Sequence, residues 1–198
     1  MAYKGKDVKL SYENSSLLPD KDSTKIEYQE FKNLFGEDGN VIVVGTINPD
    51  IFNLDQFNGW ADLSNKVRKI DGVLEVLSIT RAINLVKNDS THQFDVFPLV
   101  RKNPASQAEV DSLKNLILSL KIYDGLLYNT KSKATLMTIS LDKKKLNDVS
   151  RIVLIDKLVK AVKIYKKQFN VEIHYSGMPY IRTVTMQKIK HELFCSLF

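Results

Sequence analysis

The sequence has a single cysteine, Cys195, among its 198 residues. An internal disulfide is therefore excluded, and cysteine usage does not tell us which redox compartment the chain occupies. The eight glycines are scattered and form neither the G-x-G-x-x-G pattern nor a P-loop, both of which cradle phosphate groups. A G-x-S-x-G nucleophile motif is missing too. We therefore assign no catalytic residue, expect no cofactor, and predict that the chain is not an enzyme.

Long apolar runs are missing as well. No stretch reaches the roughly 18 apolar residues of a membrane span. The first residues, MAYKGKDVKLSYE, lack the apolar core of a signal peptide. As given, the chain is expected to be soluble in water. Its net charge of +6 permits an acidic partner, although a lysine-rich solvated surface explains the same charge.

Only three histidines are present, His92, His174 and His191. His191 and Cys195 are four residues apart, so on a helix both could face one zinc ion. A structural zinc site needs four ligands, however, and no convincing third ligand lies nearby in the sequence. We therefore predict no metal site.

Hydrophobic patterning predicts strands and helices in alternation between residues 40 and 175. Short, β-branched apolar runs favour strands over 40–47, 73–79, 134–141 and 171–175. Apolar residues at helical spacing favour helices over 53–70 and 147–169. Asn53 followed by Gln56 predicts a capping box at the start of the first helix.

The rest of the chain is less regular. We predict a strand over 8–13, a helix over 25–35 and a short helix near 82–86. A long loop containing Pro98 and Pro104 follows. Ser106 and Glu109 form a second capping-box pattern, which begins another helix, and a final amphipathic helix begins at Tyr180.

The order of these elements predicts the fold class. Without an insertion at about 80–133, the order is β-α-β-β-α-β, which is the split βαβ, ferredoxin-like pattern. We therefore predict an α+β fold with an antiparallel sheet, helices on one face and a helical or loop insertion. The whole chain, 1–198, is expected to form one domain, with its core at about 40–79 and 134–175.

Aromatic residues are scarce in the predicted strands. RNA-binding sheets of this fold stack bases on aromatic side chains of their middle strands. Here the only strand aromatic is Tyr175, in the last strand. The pattern argues against nucleic acid as a partner.

Three stretches together resemble a known family. They are YENSSLLPDKDSTKIEYQEFKNLFGEDGNVIVVG at 12–45, VRKIDGVLEVLSI at 67–79 and HYSGMPYIRTVTMQKIKHELF at 174–194. In order and spacing they resemble the large extracytoplasmic loop of RND-superfamily exporters, in the MMPL-type branch. That loop has an "LLP.D" turn, a helix ending in "FG", a strand like "NVIVVG" and a "G.P" turn before its last helix.

The resemblance implies a porter domain of a proton-driven exporter in the inner (cytoplasmic) membrane, on the periplasmic side. Such a domain guides hydrophobic or amphiphilic small molecules or lipids and transmits conformational change. Its partners would be the transmembrane helices and the second porter loop of the parent transporter. Residues 180–198 would begin a truncated transmembrane helix, and flanking helices outside this chain would attach the domain to the membrane.

The resemblance also suggests where the domain meets the membrane part. Gly177 and Pro179 lie between the last strand and the last helix, where a hinge is expected, although glycine and proline mark ordinary turns as well. Arg182 would lie near lipid headgroups, and plain solvent exposure explains it nearly as well. The family's proton-relay residues lie in membrane helices, and the substrate-binding residues stay open.

A second function class also fits the sequence. The chain would then be a stand-alone ferredoxin-like binding module for RNA or another anionic partner. That hypothesis predicts an affinity for nucleic acid that falls as salt is added.

Overall fold

A computed structural model describes residues 22–23, 26–27, 38–88, 93–146 and 148–196. The chain divides into two compact units, Met1–Asp38 and Gly39–Phe198. The strand predicted over 8–13 and most of the helix predicted over 25–35 lie outside the described residues. The residues of every other predicted element lie in the second unit.

Six strands and four α-helices follow one another in the described part of this unit. They are β1 (Val41–Ile47), α1 (Leu54–Arg68), β2 (Val73–Ser78), β3 (Ile83–Asn88), β4 (Gln93–Pro98), α2 (Gln107–Ser119), β5 (Ala134–Leu141), α3 (Asp148–Phe169), β6 (His174–Ser176) and α4 (Met178–Ser196).

Four of the strands form an antiparallel sheet in the order β2-β5-β1-β6. Helix α1 connects β1 to β2, and α3 connects β5 to β6. Each helix therefore joins two parallel strands that have a third, antiparallel strand between them. This is the ferredoxin-like split βαβ arrangement, so the predicted α+β fold is confirmed.

The core lies between the sheet and the two crossover helices. Along β5, Met137 and Ile139 are buried and alternate with half-buried residues, as expected for a strand with one covered face. Val44 pairs with Met137 across the strands and is fully buried on the same face. From the helices, Trp60 of α1 meets Tyr165 of α3 edge to face, with their ring centroids 5.2 Å apart.

The start of α1 differs from the prediction in one respect. Asn53 has the extended backbone of an N-cap, but its side chain makes no capping hydrogen bond. The Gln56 side chain instead accepts a hydrogen bond from the Asn48 amide, in the turn after β1. The predicted capping box is wrong here because this tertiary contact uses the glutamine that the box requires.

The turn before β5 contains a backbone conformation that suits glycine better than lysine. Lys133 has φ 59°, and its N–H and carbonyl are hydrogen-bonded to Asn129 and Asn48. We predict that Lys133→Gly raises the free energy of unfolding by about 0.5–1 kcal/mol, because a Cβ is unfavourable in this region. Urea unfolding checks this. Lys131→Gly, in the same turn without positive φ, is the control and should lower stability. Equal losses in both variants would contradict the prediction.

Candidate functional site

The predicted hinge residue Gly177 lies between β6 and α4, against the first residues of β1. Its φ is +109°, and a Cβ placed on it would lie 2.2 Å from the carbonyl oxygen of Val41 and 3.0 Å from the Cα of Ile42. Only glycine allows both this conformation and this close approach of two backbones. The carbonyl of Gly177 accepts a hydrogen bond from the N–H of Ile181, at 3.1 Å, in the first turn of α4.

Pro179 and Arg182 lie in the first turns of α4. Pro179 is buried, at a position where a helix needs no backbone donor. Its carbonyl accepts a hydrogen bond from the hydroxyl of Thr183, which is also buried, at 2.8 Å. Arg182 is half-buried. The structure thus brings the three predicted residues together at one junction, and their role as a hinge stays a prediction.

Tyr175 lies on the covered face of the sheet. It pairs with Val44, which is fully buried against the helices, and it stacks on Tyr180 of α4 with ring centroids 4.8 Å apart. In the four described strands of this sheet it is the only aromatic residue. The strands of the described sheet therefore present no aromatic side chain on their other face for bases to stack on.

The burial of Tyr175 predicts a sensitivity to alkaline pH. Burial raises the pKa of its hydroxyl to about 12, and Tyr180 adds to this effect. The neutral form is favoured by folding, so its stabilising contribution is complete below the unfolded pKa of about 10 and is lost as pH rises toward 12. We predict that Tyr175→Phe reduces the fall in unfolding free energy between pH 9 and pH 11. Urea titrations at both pH values measure this, and an unchanged fall would contradict it.

The insertion contains a β-hairpin that the sequence analysis missed. Strands β3 and β4 pair from Ile83 with Pro98 to Asn88 with Gln93. The short helix predicted near 82–86 is therefore wrong, and so is the part of the predicted long loop that covers 93–98. The alternation of Phe94 and Val96 with polar neighbours was the available signal for a strand. Pro98 concealed it, since proline suggests a loop unless it ends a strand.

The hairpin is held at its base and carries exposed apolar side chains. The buried Tyr123 donates its hydroxyl proton to the Ile83 carbonyl and accepts the Ile83 N–H, and the N–H of Leu99 bonds to the Ala82 carbonyl. Phe94 and Val96 alternate along β4, so they share one face of the ribbon. Their exposed fractions are 65% and 58%. An apolar ribbon face of this kind is typical of an interaction surface.

An open surface groove of about 460 Å³ lies where the chain leaves this hairpin and enters α2. Its size falls within the usual range for small-molecule sites, about 300–1,000 Å³. Apolar atoms supply most of its lining. The lining residues are Leu99, Val100, Arg101, Lys102, Pro104, Ala108, Glu109, Ser112 and Leu113.

Side-chain hydrogen bonds fix one wall of this groove to α1. The amide of Asn103 donates to the carboxylate of Asp62 at 3.2 Å, and that of Asn58 donates to the carbonyl of Pro104 at 3.0 Å. Gln107 bonds through both ends of its amide. It donates to the Phe52 carbonyl at 2.8 Å and accepts the N–H of Leu54 at 2.9 Å. The groove is thus largely preformed.

The second predicted capping box is partly confirmed and shapes the charge of the groove. Ser106 accepts the N–H of Glu109 at 3.4 Å, as predicted, while the Glu109 carboxylate accepts the N–H of Ala105 at 3.0 Å. The one acidic side chain of the lining is therefore already engaged by the start of α2. Arg101 and Lys102 are exposed and form no ion pair within the described ranges.

Among the described residues, the candidate metal ligands do not come together. No group of three histidine, cysteine or acidic residues there could hold a metal ion. His191 and Cys195 both lie in α4, as predicted. His174 is exposed, with its Nε2 3.9 Å from the carboxylate of exposed Glu172.

The chain matches no protein-family model and no curated protein. Among the described residues, no helix combines the length and apolar character needed to cross a bilayer. α4 carries Arg182, Lys188 and Glu192 in its described part, which keeps its average hydropathy low.

Proposed function

We propose that the chain is the extracytoplasmic porter domain of a proton-driven, RND-type exporter of the inner (cytoplasmic) membrane. On the periplasmic side it would guide hydrophobic or amphiphilic molecules or lipids and transmit conformational change. The groove between the segment 99–104, which follows the hairpin, and α2 carries this proposal. It combines a mainly apolar lining with two cations among its lining residues, Arg101 and Lys102, on a split βαβ frame of the kind that the resemblance to exporters implies.

The junction of β6 and α4 supports the mechanical part of this function. Gly177 brings its backbone against Val41 and Ile42, and Thr183 and Met186 of α4 are buried. A displacement at the start of α4 would therefore be transmitted to the central strand β1, because closely packed elements move together. The transmembrane helices and the second porter loop of the exporter would be the partners that drive this displacement.

A stand-alone module for RNA or another anionic partner is the alternative. The outer side of α3 favours it, because Lys157, Lys160, Lys163, Lys166 and Lys167 are all exposed there. The position of Tyr175 on the covered face of the sheet argues against base stacking. Filter binding of single-stranded RNA at low and physiological salt separates the two. We expect no retention at physiological salt, and tight, salt-sensitive retention would favour the alternative.

Export by the parent cell tests the proposal. Cells with the gene deleted should retain more of at least one hydrophobic dye or membrane-derived amphiphile than cells with the gene restored. Because the exporter is proton-driven, a protonophore should remove the difference between the two strains. Equal retention across a broad panel of apolar and amphiphilic compounds would contradict the proposed function.

A further inference from the structure

We infer that the groove between the segment 99–104 and α2 is a binding site for one free, single-chain anionic amphiphile, namely a long-chain carboxylate. This inference rests on the proposed function for its biological role and on the groove itself for its chemistry. The alkyl chain would lie along the apolar lining. The carboxylate would be held at the edge by Arg101 and Lys102.

The lining determines the apolar part of the ligand. Leu99 and Leu113 are half-buried, and Pro104 is buried, so the floor is fixed by the core rather than by mobile surface side chains. Ala108 is the smallest residue of the α2 wall and leaves room beside the helix. A volume of about 460 Å³ suits one small ligand. Removing an alkyl chain from water is favourable in proportion to the area covered.

The charges determine the headgroup. Arg101 and Lys102 both line the groove, while Glu109 directs its carboxylate to the N–H of Ala105. An anion entering the groove therefore meets two cations and an acid that is already hydrogen-bonded. The planar fork of an arginine matches the two oxygens of a carboxylate. A cationic or neutral headgroup would gain nothing comparable.

The frame of the groove favours binding without rearrangement. The contacts from Asn58 and Asn103 hold the segment that carries Arg101 and Lys102, and Gln107 holds the start of α2. Preformed sites lose less free energy to ordering when the ligand binds. The exposed side chains of Phe94 and Val96 belong to β4, the strand that directly precedes the groove-lining segment in the chain.

Calorimetric titration of the 198-residue chain with three surfactants of equal chain length tests the headgroup. Dodecanoate, dodecyl maltoside and dodecyltrimethylammonium are used below their micelle concentrations. We expect saturable 1:1 binding of dodecanoate, weaker binding of the neutral surfactant and none of the cation. Failure of dodecanoate to bind, or equal binding of all three, would overturn the inference.

Three variants locate the site. Ala108→Trp fills the groove from an exposed helix position and should abolish dodecanoate binding while the thermal midpoint stays close to that of the wild type. The double variant Arg101→Gln with Lys102→Gln should weaken binding about tenfold or more. The double variant Lys131→Gln with Lys157→Gln also removes two positive charges, at positions distant in sequence from the groove residues. It should leave the affinity for dodecanoate unchanged.

The remaining outcomes each decide against the inference. Unaltered binding in Ala108→Trp would place the ligand elsewhere. If the Lys131 and Lys157 control lost as much dodecanoate affinity as the Arg101 and Lys102 variant, binding would be due to the general positive charge of the chain. Co-sedimentation of the chain with phosphatidylglycerol vesicles, lost in Ala108→Trp, would make a bilayer lipid the occupant instead. None of these outcomes bears on export, whereas a failed export assay would leave specific dodecanoate binding in place.

Discussion

Replacing Gly177 by alanine is expected to lower the free energy of unfolding by about 3 kcal/mol or more. The residue has φ +109°, a region that costs a non-glycine residue about 1–3 kcal/mol. In addition, the new Cβ would lie 2.2 Å from the carbonyl oxygen of Val41 and 3.0 Å from the Cα of Ile42. Both neighbours are backbone atoms of β1, so neither can move aside without disturbing the central sheet.

The measurement is urea unfolding followed by the fluorescence of Trp60, which is the single tryptophan and is fully buried. Gly125→Ala is the matched control. Gly125 also has a positive φ, +78°, but nothing lies within 4 Å of its Cβ position. Gly125→Ala therefore isolates the cost of placing a Cβ at a positive φ, and it should lower the free energy of unfolding by about 1 kcal/mol. Equal effects of the two substitutions would show that Gly177 does not touch β1 in solution.

Gly59→Ala is expected to lower the free energy of unfolding by about 1–3 kcal/mol. In an exposed helix this change would stabilise by about 1 kcal/mol, since alanine is the better helix former. Here a Cβ would lie 2.3 Å from the Phe169 ring and 3.3 Å from the Tyr165 ring, both on α3. The overlap has to be relieved by moving aromatic side chains that pack α1 against α3.

A second substitution tests this explanation directly. Phe169→Leu removes the ring atoms that Cβ would meet, so Gly59→Ala should cost clearly less in that background than in the wild type. Gly39→Ala is the control, because nothing lies within 4 Å of its Cβ position. If Gly59→Ala raised stability in the wild-type background, the close contact of the two helices would be refuted.

The sheet and its crossover helices could be predicted because each strand carries its own signal. Val41–Ile47 is a β-branched run with turns at both ends, and Ala134–Leu141 has the same character. Burial then follows from position, with Ile42 and Ile139 on the covered face. Local sequence patterns were sufficient to predict the strands and helices, and the order of these elements then predicted the sheet topology.

The strand signal of the hairpin, at Phe94 and Val96, was obscured by Pro98, and the groove has no local pattern of this kind. The groove brings together Leu99, Arg101 and Leu113, which belong to a connection and a helix. The contact that fixes them joins Gln107 to Phe52, 55 residues apart. A sequence pattern does not reveal such a long-range side-chain contact. The Asn53 capping box was lost to a contact only eight residues apart in sequence, between Asn48 and Gln56, which the capping pattern also does not reveal.

The location of the domain tests the exporter account most directly. In the full-length protein, Cys195→Ser removes the only cysteine of this chain, and Lys131→Cys adds an exposed thiol. Cells or spheroplasts with an intact inner membrane are treated with a membrane-impermeant maleimide. The account predicts that the thiol at position 131 is labelled without breaking the inner membrane. Labelling only after the inner membrane is broken would contradict it.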